Sequence, residues 1–205
     1  MPLQQTAGNS TYDAYGGGAA AVPTYIEDVF STYLYTGNGS TQTITNGIDL
    51  STYGGLVWIK PRNQGTLYHQ WVDSARGNTK YIYSNVTDAQ DTITDRVTSF
   101  NSNGFTLGNS GNVNTTWNYA SWTFRKQPKF FDVVTWTSTS TTNTNLRVSH
   151  NLGSVPGCII IKATSTTDSW YVYHRALGIN QYVRLNATSA AVSYTPTWGT
   201  SDPTS

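Results

Sequence analysis

Acyl transfer from a hydroxyl nucleophile needs a serine on a strained turn, a histidine base beside it and a carboxylate behind the base. The chain holds His69, His150 and His174, and His69 has Asp73 and Ser74 nearby. No Gly-x-Ser-x-Gly turn occurs, so the grouping is sequence proximity alone. The histidines do not stand at metal-binding spacing. The single cysteine, Cys158, permits neither an intrachain disulfide nor a cysteine-based metal site. Inside Gly-Cys-Ile-Ile-Ile it reads as a small core residue. Glycoside cleavage requires two carboxylates facing each other across several ångströms. Glu27 is the only glutamate, and its neighbour Asp28 would point the opposite way on a strand. Asp88, Asp91 and Asp95 form the one acidic cluster, a potential aid to calcium binding. Their spacing matches no calcium loop and Arg96 competes, so a polar loop is expected. Gly37-Asn38-Gly39-Ser40 lacks the lysine and further glycine of a phosphate cradle. The expectation is a protein with no catalytic site, no metal and no cofactor.

Aromatic side chains are the remaining candidates for recognition, with 7 Trp, 14 Tyr and 6 Phe. Trp117 and Tyr119 lie two apart, as do Tyr171 and Tyr173, so each pair shares one face of a strand. Exposed, such rings stack on sugars; buried, they are core, and core is the favoured reading. Trp117, Tyr119 and Trp170 are the candidates for glycan stacking. Asn85 and Asn186 each begin an Asn-x-Thr glycosylation signal. Met1 to Gln5 lacks the basic residues and apolar core of a secretory leader, so a turn is expected at both asparagines instead. Residues 125–129, Arg-Lys-Gln-Pro-Lys, are either a small basic patch for a phosphate or acidic partner, or a proline-stiffened linker. The linker is favoured.

The elements that must position these residues follow from composition and alternation. Only 11% of the 205 residues are charged, against about 25% for an average soluble domain. Thr (33), Ser (20) and Asn (17) take their place. A net charge of +1 excludes a nucleic-acid binder that works by displacing counterions. No run of about 18 apolar residues exists to insert in a membrane as a helix. Apolar residues recur with period two, not at i, i+3, i+4, i+7. Strands are expected at Tyr33–Tyr35, Thr41–Ile44, Leu56–Ile59, Gln70–Val72, Tyr81–Tyr83, Gly104–Leu107 and Tyr119–Phe124. Turn residues part them at intervals of about ten, the rhythm of a sandwich or jelly roll. The fold class is all-β.

The chain also repeats itself. Phe30 is matched by Phe131 and Tyr35-Thr36 by Trp136-Thr137, each 101 positions on. Gly55 to Lys60 pairs with Gly157 to Lys162 at 102. The offset returns to 101 for Ala75/Ala176, Gly77/Gly178, Tyr81/Tyr182, Asn85/Asn186 and Thr87/Thr188. The expectation is two tandem, related, lectin-like β-sandwich units at 26–127 and 130–205, preceded by an extended arm at 1–25. The second copy stops before any counterpart of Phe105 to Phe124, which would leave an apolar face and a sheet edge open. Either the chain is a piece of something longer, the favoured reading, or another subunit covers the gap. The arm has one charge, Asp13, and carries Leu3, Tyr12, Tyr15 and Val22 as its anchoring candidates.

Three stretches carry a resemblance: Gly54-Gly-Leu-Val-Trp-Ile-Lys60, Asp73-Ser-Ala-Arg-Gly-Asn-Thr-Lys-Tyr81 and Ser99-Phe-Asn-Ser-Asn-Gly-Phe-Thr-Leu-Gly108. Asn151-Leu-Gly-Ser-Val-Pro-Gly-Cys-Ile-Ile-Ile-Lys162 and Trp170-Tyr-Val-Tyr-His-Arg175 extend it into the second copy. Across roughly 26–198 the chain resembles the repeated β domain of tail-fibre-like virion structural proteins of tailed bacteriophages, marine phages and cyanophages especially. The resemblance implies a structural protein of the virion tail, a homotrimer, docked through its N-terminal part to tail, nozzle or adaptor proteins and serving host attachment. A host surface glycan is the remaining implied partner. A capsid-surface fibre or decoration protein, or a carbohydrate-binding module, are the alternatives.

Overall fold

A computed structural model describes residues 24–138, 146–194, 198–199 and 203–204. The described residues are nearly all β, with several antiparallel sheets. In the first unit the strands are β1 (Phe30–Thr36), β2 (Gln42–Thr45), β3 (Gly55–Pro61), β4 (Gln70–Asp73), β5 (Lys80–Tyr83), β6 (Asp91–Thr92), β7 (Val97–Asn101), β8 (Gly104–Leu107) and β9 (Asn118–Arg125). Three one-turn helices interrupt them: α1 (Ile26–Val29), α2 (Leu50–Tyr53) and α3 (Gly111–Asn114). Helix α2 exists because Asp49 caps it, its carboxylate accepting from the Thr52 amide at 2.9 Å.

Two sheets stack face to face. One runs β1-β9-β3-β4-β5-β6 and the other β2-β8-β7. Strand β9, last in sequence, lies between β1 and β3, with Trp122 opposite both Thr32 and Trp58. Alternation decides which residues meet in the interior. Tyr35, Val57, Ile59, Val72, Tyr81, Tyr83 and Tyr119 from the larger sheet pack against Ile44, Val97, Phe105 and Leu107 from the smaller. Tyr35 and Tyr119 stack with ring centres 5.0 Å apart.

Beyond the connection lie β10 (Cys158–Ile161), β11 (Tyr171–His174), β12 (Gln181–Arg184) and β13 (Val192–Ser193), one antiparallel sheet in that order. Their frame shares three backbone bonds with β3 to β6. Ser74 N–H donates to Gly55 O and Arg175 N–H to Gly157 O, both at 2.9 Å. Ser84 donates to His69 O (3.1 Å) and Leu185 to Trp170 O (3.2 Å). Ile93 donates to Thr79 O (2.8 Å) and Tyr194 to Asn180 O (3.0 Å). Asn85 and Asn186, the two turn asparagines, each accept at 2.8 Å, from the amides of His69 and Trp170.

The two units diverge in what covers those strands. Strand β3 has β9 along its second edge, and the face of β3 to β5 is roofed by the smaller sheet. Among the described residues β10 has β11 alone, and no second layer of strands lies over β10 to β13. The expected second sandwich is therefore a single sheet there. Cys158, expected in the core, is exposed: it stands where Leu56 does, and Leu56 has Phe124 of β9 beside it.

Candidate functional site

The polar candidates are committed to structure. Asp73 is bound to Arg76, whose Nε donates to it at 2.7 Å. The Ser74 hydroxyl accepts from the Gly55 amide at 2.9 Å, so neither is poised as a partner for His69. Asp91 accepts the Tyr83 hydroxyl proton at 2.6 Å, and the described residues contain no cluster of His, Cys, Asp and Glu that could hold a metal. The basic stretch 125–129 is likewise spent locally. Arg125 lies over the Tyr53 ring, 4.1 Å from its centre. Lys126 pairs with Asp132 at 2.9 Å, and the Lys129 backbone N–H, not its exposed side chain, donates to Leu152 O at 2.7 Å.

Arg96 is a buried cation whose hydrogen-bond partners are neutral. It is 8% exposed, lies 5.2 and 5.7 Å from the ring centres of Tyr81 and Tyr83, and donates to Gln70 Oε1 and to the Tyr83 hydroxyl. The Tyr81 hydroxyl accepts from the Val97 amide at 2.6 Å. Burial, reinforced by the hydrogen bond to Asp91, pushes the Tyr83 phenol up to about 12, and burial raises Tyr81 as well. The group is a polar clamp tying β5 to β7 across the sandwich.

The most distinctive surface is a tract of tryptophans. Trp58 on β3, Trp71 on β4 and Trp122 on β9 occupy facing positions in adjacent strands. They alternate with the core residues Val57, Ile59 and Val72, so they stand on the face turned away from the core. Ring centres are 5.1 Å apart for Trp58–Trp122 and 5.2 Å for Trp58–Trp71. The line continues into the second unit, with Trp71 4.8 Å from Trp170. Trp170 is 1% exposed, and its indole N–H is shared between Tyr83 O (2.9 Å) and Val86 O (3.1 Å) of the first unit. Backbone bonds flank it, Gln90 N–H to Thr164 O at 2.8 Å and Asp168 N–H to Thr87 O at 2.9 Å. Farther along that face Phe124 packs on Phe30 and on Phe131 of the connection. Asp132 fixes the connection by accepting from Asn151 N–H at 2.8 Å.

Neighbouring tryptophan rings are inclined by 48° to 76°, so the indoles cover one another and form no flat platform. Each edge-to-face pair contributes about 0.5–1.5 kcal/mol beyond its buried area. Of the residues expected to stack on sugar, Tyr119 is fully buried in the core and Trp170 in the joint. Trp117 is partly buried against the same core. The structure does not bring the three together. Leu3, Tyr12, Tyr15 and Val22 lie outside the described residues. Trp58, Trp71 and Trp122 were missed as a group because 13 and 51 residues separate them in sequence. Their shared phase, opposite to Val57 and Val72, was the available signal.

Fold and tract together define an all-β protein whose aromatic residues join two strand units. A family model described as "Domain of unknown function (DUF7483)" matches residues 26–205, and the chain belongs to that family. No curated protein and no solved structure matches it.

Proposed function

We propose that the protein is a non-catalytic structural subunit of a tailed-phage virion, a tail fibre or fibre adaptor that serves host attachment through assembly. The supporting observation is where the aromatic side chains go. Trp58, Trp71, Trp122 and Trp170 form a continuous seam from one unit into the next, and Trp170 is sealed by two hydrogen bonds from its indole. Aromatic area used this way stiffens a scaffold and leaves no flat ring face for a sugar. Dense antiparallel pairing and 11% charged residues suit a long-lived extracellular part. The tailed-phage context comes from the resemblance of residues 54–60, 73–81 and 99–108. On that reading the functional unit is a homotrimer, and the segment before Ile26 docks on tail, nozzle or adaptor proteins. Deleting residues 1–24 should release the protein from particles while the strands keep their far-UV signature. Retention on particles would contradict the anchoring role. Gold-labelled antibody on intact particles should decorate the tail; decoration of the capsid would transfer the reading to a capsid-surface fibre.

A further inference from the structure

In antiparallel strands successive residues direct their N–H and C=O groups alternately to the two neighbours. Ser74 donates to Gly55 O, so Gly55, Val57 and Ile59 bond towards β4. Leu56, Trp58 and Lys60 then bond towards β9, a series that Lys126 N–H to Gly54 O at 3.0 Å continues. In the second unit Arg175 donates to Gly157 O, so Gly157, Ile159 and Ile161 bond towards β11. The N–H and C=O groups of Cys158, Ile160 and Lys162 therefore point away from it, and no strand among the described residues pairs there. Exposure follows suit. Leu56 is 3% exposed and its counterpart Cys158 is exposed; Trp58 is half-buried and its counterpart Ile160 is 41% exposed. Within Cys158–Ile161 no charge or proline guards the edge, and the Lys162 ammonium beside it is turned to the Ala163 and Thr166 carbonyls.

We propose that this edge of β10 is a docking site for an antiparallel strand of the chemistry of β9, small or hydroxyl residues alternating with aromatic ones. The first unit supplies the template. Strand β9 lies on β3 from Gly55↔Arg125 to Pro61↔Tyr119, with Phe124 opposite Leu56 and Trp122 opposite Trp58. Transferred to the second unit, those aromatic positions fall opposite Cys158 and Ile160. Both are smaller than Leu56 and Trp58, which leaves room for a large side chain on the incoming strand. Main-chain hydrogen bonds provide the affinity and the alternate side chains the selectivity. The proposal rests on the shared frame and is independent of any virion role.

The probe is a synthetic peptide of residues 118–125 added to the full chain, read by amide hydrogen exchange. Without peptide, the amides of Cys158, Ile160 and Lys162 should exchange rapidly while those of Leu56, Trp58 and Lys60 are protected. Peptide at about ten times its Kd should slow those three by about tenfold. A scrambled peptide should leave them unchanged. Ile160→Pro removes the central edge donor without touching the bonds to β11, and it should abolish the slowing. Ile160→Lys, which sets a charge on the edge opposite the incoming aromatic side chain, should weaken it. Retained protection at Ile159 and Ile161, whose amides bond towards β11, certifies that the sheet of β10 to β13 is folded in each variant. Rapid exchange at saturating peptide would overturn the proposal. So would protection already present without peptide, with sedimentation then assigning the cover to a second copy if dimeric or to the chain itself if monomeric.

Discussion

At the scale of single residues, the buried polar groups of the first unit make the sharpest demands. The Tyr81 hydroxyl is the acceptor for the Val97 amide in the interior. Tyr81→Phe keeps the ring and leaves that N–H unpaired, an expected loss of about 1–3 kcal/mol in urea unfolding. Loss of less than a few tenths would show that the hydrogen bond is replaced. Tyr83 carries a pH signature. Its phenol is held up at about 12 in the folded protein, by burial first and Asp91 second. In the unfolded chain it titrates near its ordinary value of about 10. Stability is therefore complete below pH 10 and falls as the pH rises towards 12, because only the unfolded chain ionises easily. Unfolding midpoints measured from pH 9 to 11.5 should decline, and Tyr83→Phe should lessen the decline, Tyr81 and Tyr35, also raised by burial, supplying the rest.

At the scale of elements, turns set the register. Gly104 opens β8 with φ of +132°, and an added Cβ would lie 2.0 Å from the Ile44 carbonyl oxygen of β2. Gly104→Ala combines backbone strain with a collision against a paired strand, and a loss of about 2 kcal/mol or more is expected. A thermal midpoint equal to that of the parent would refute it. The strands around it were legible in the sequence: Tyr33–Tyr35, Gln70–Val72, Tyr81–Tyr83, Gly104–Leu107 and Tyr119–Phe124 all fall within or on β1, β4, β5, β8 and β9. Strand β7 and the helices α1 to α3 were not, since Val97 to Asn101 has little apolar alternation and one-turn helices have no period to read.

At the scale of the whole molecule, the tryptophan seam should make the two units unfold together. Trp170→Ala removes a fully buried indole, its two hydrogen bonds and its contact with Trp71. A loss of about 3–5 kcal/mol is expected, with a single transition splitting into two as the sheet of β10 to β13 melts first. Tryptophan fluorescence and far-UV dichroism followed in parallel would report the split; coincident curves in the variant would show the units are coupled elsewhere. The repeat in the sequence pairs positions 101 or 102 apart, and at those offsets Ser74 donates to Gly55 O and Arg175 to Gly157 O. The seam itself was not visible, because the repeat has Ile160 and Val172 where the first unit has Trp58 and Trp71.

Period-two alternation and a chain rich in Thr, Tyr and Trp were enough to determine an all-β protein, because those features depend only on neighbours along the chain. Alternation defines two faces for every strand and labels neither as interior. That choice was made by pairing between residues far apart, such as Trp58 with Trp122 and Trp71 with Trp170. It put Tyr119 in the core and Trp170 in a joint, and it left Cys158 and Ile160 on an open edge.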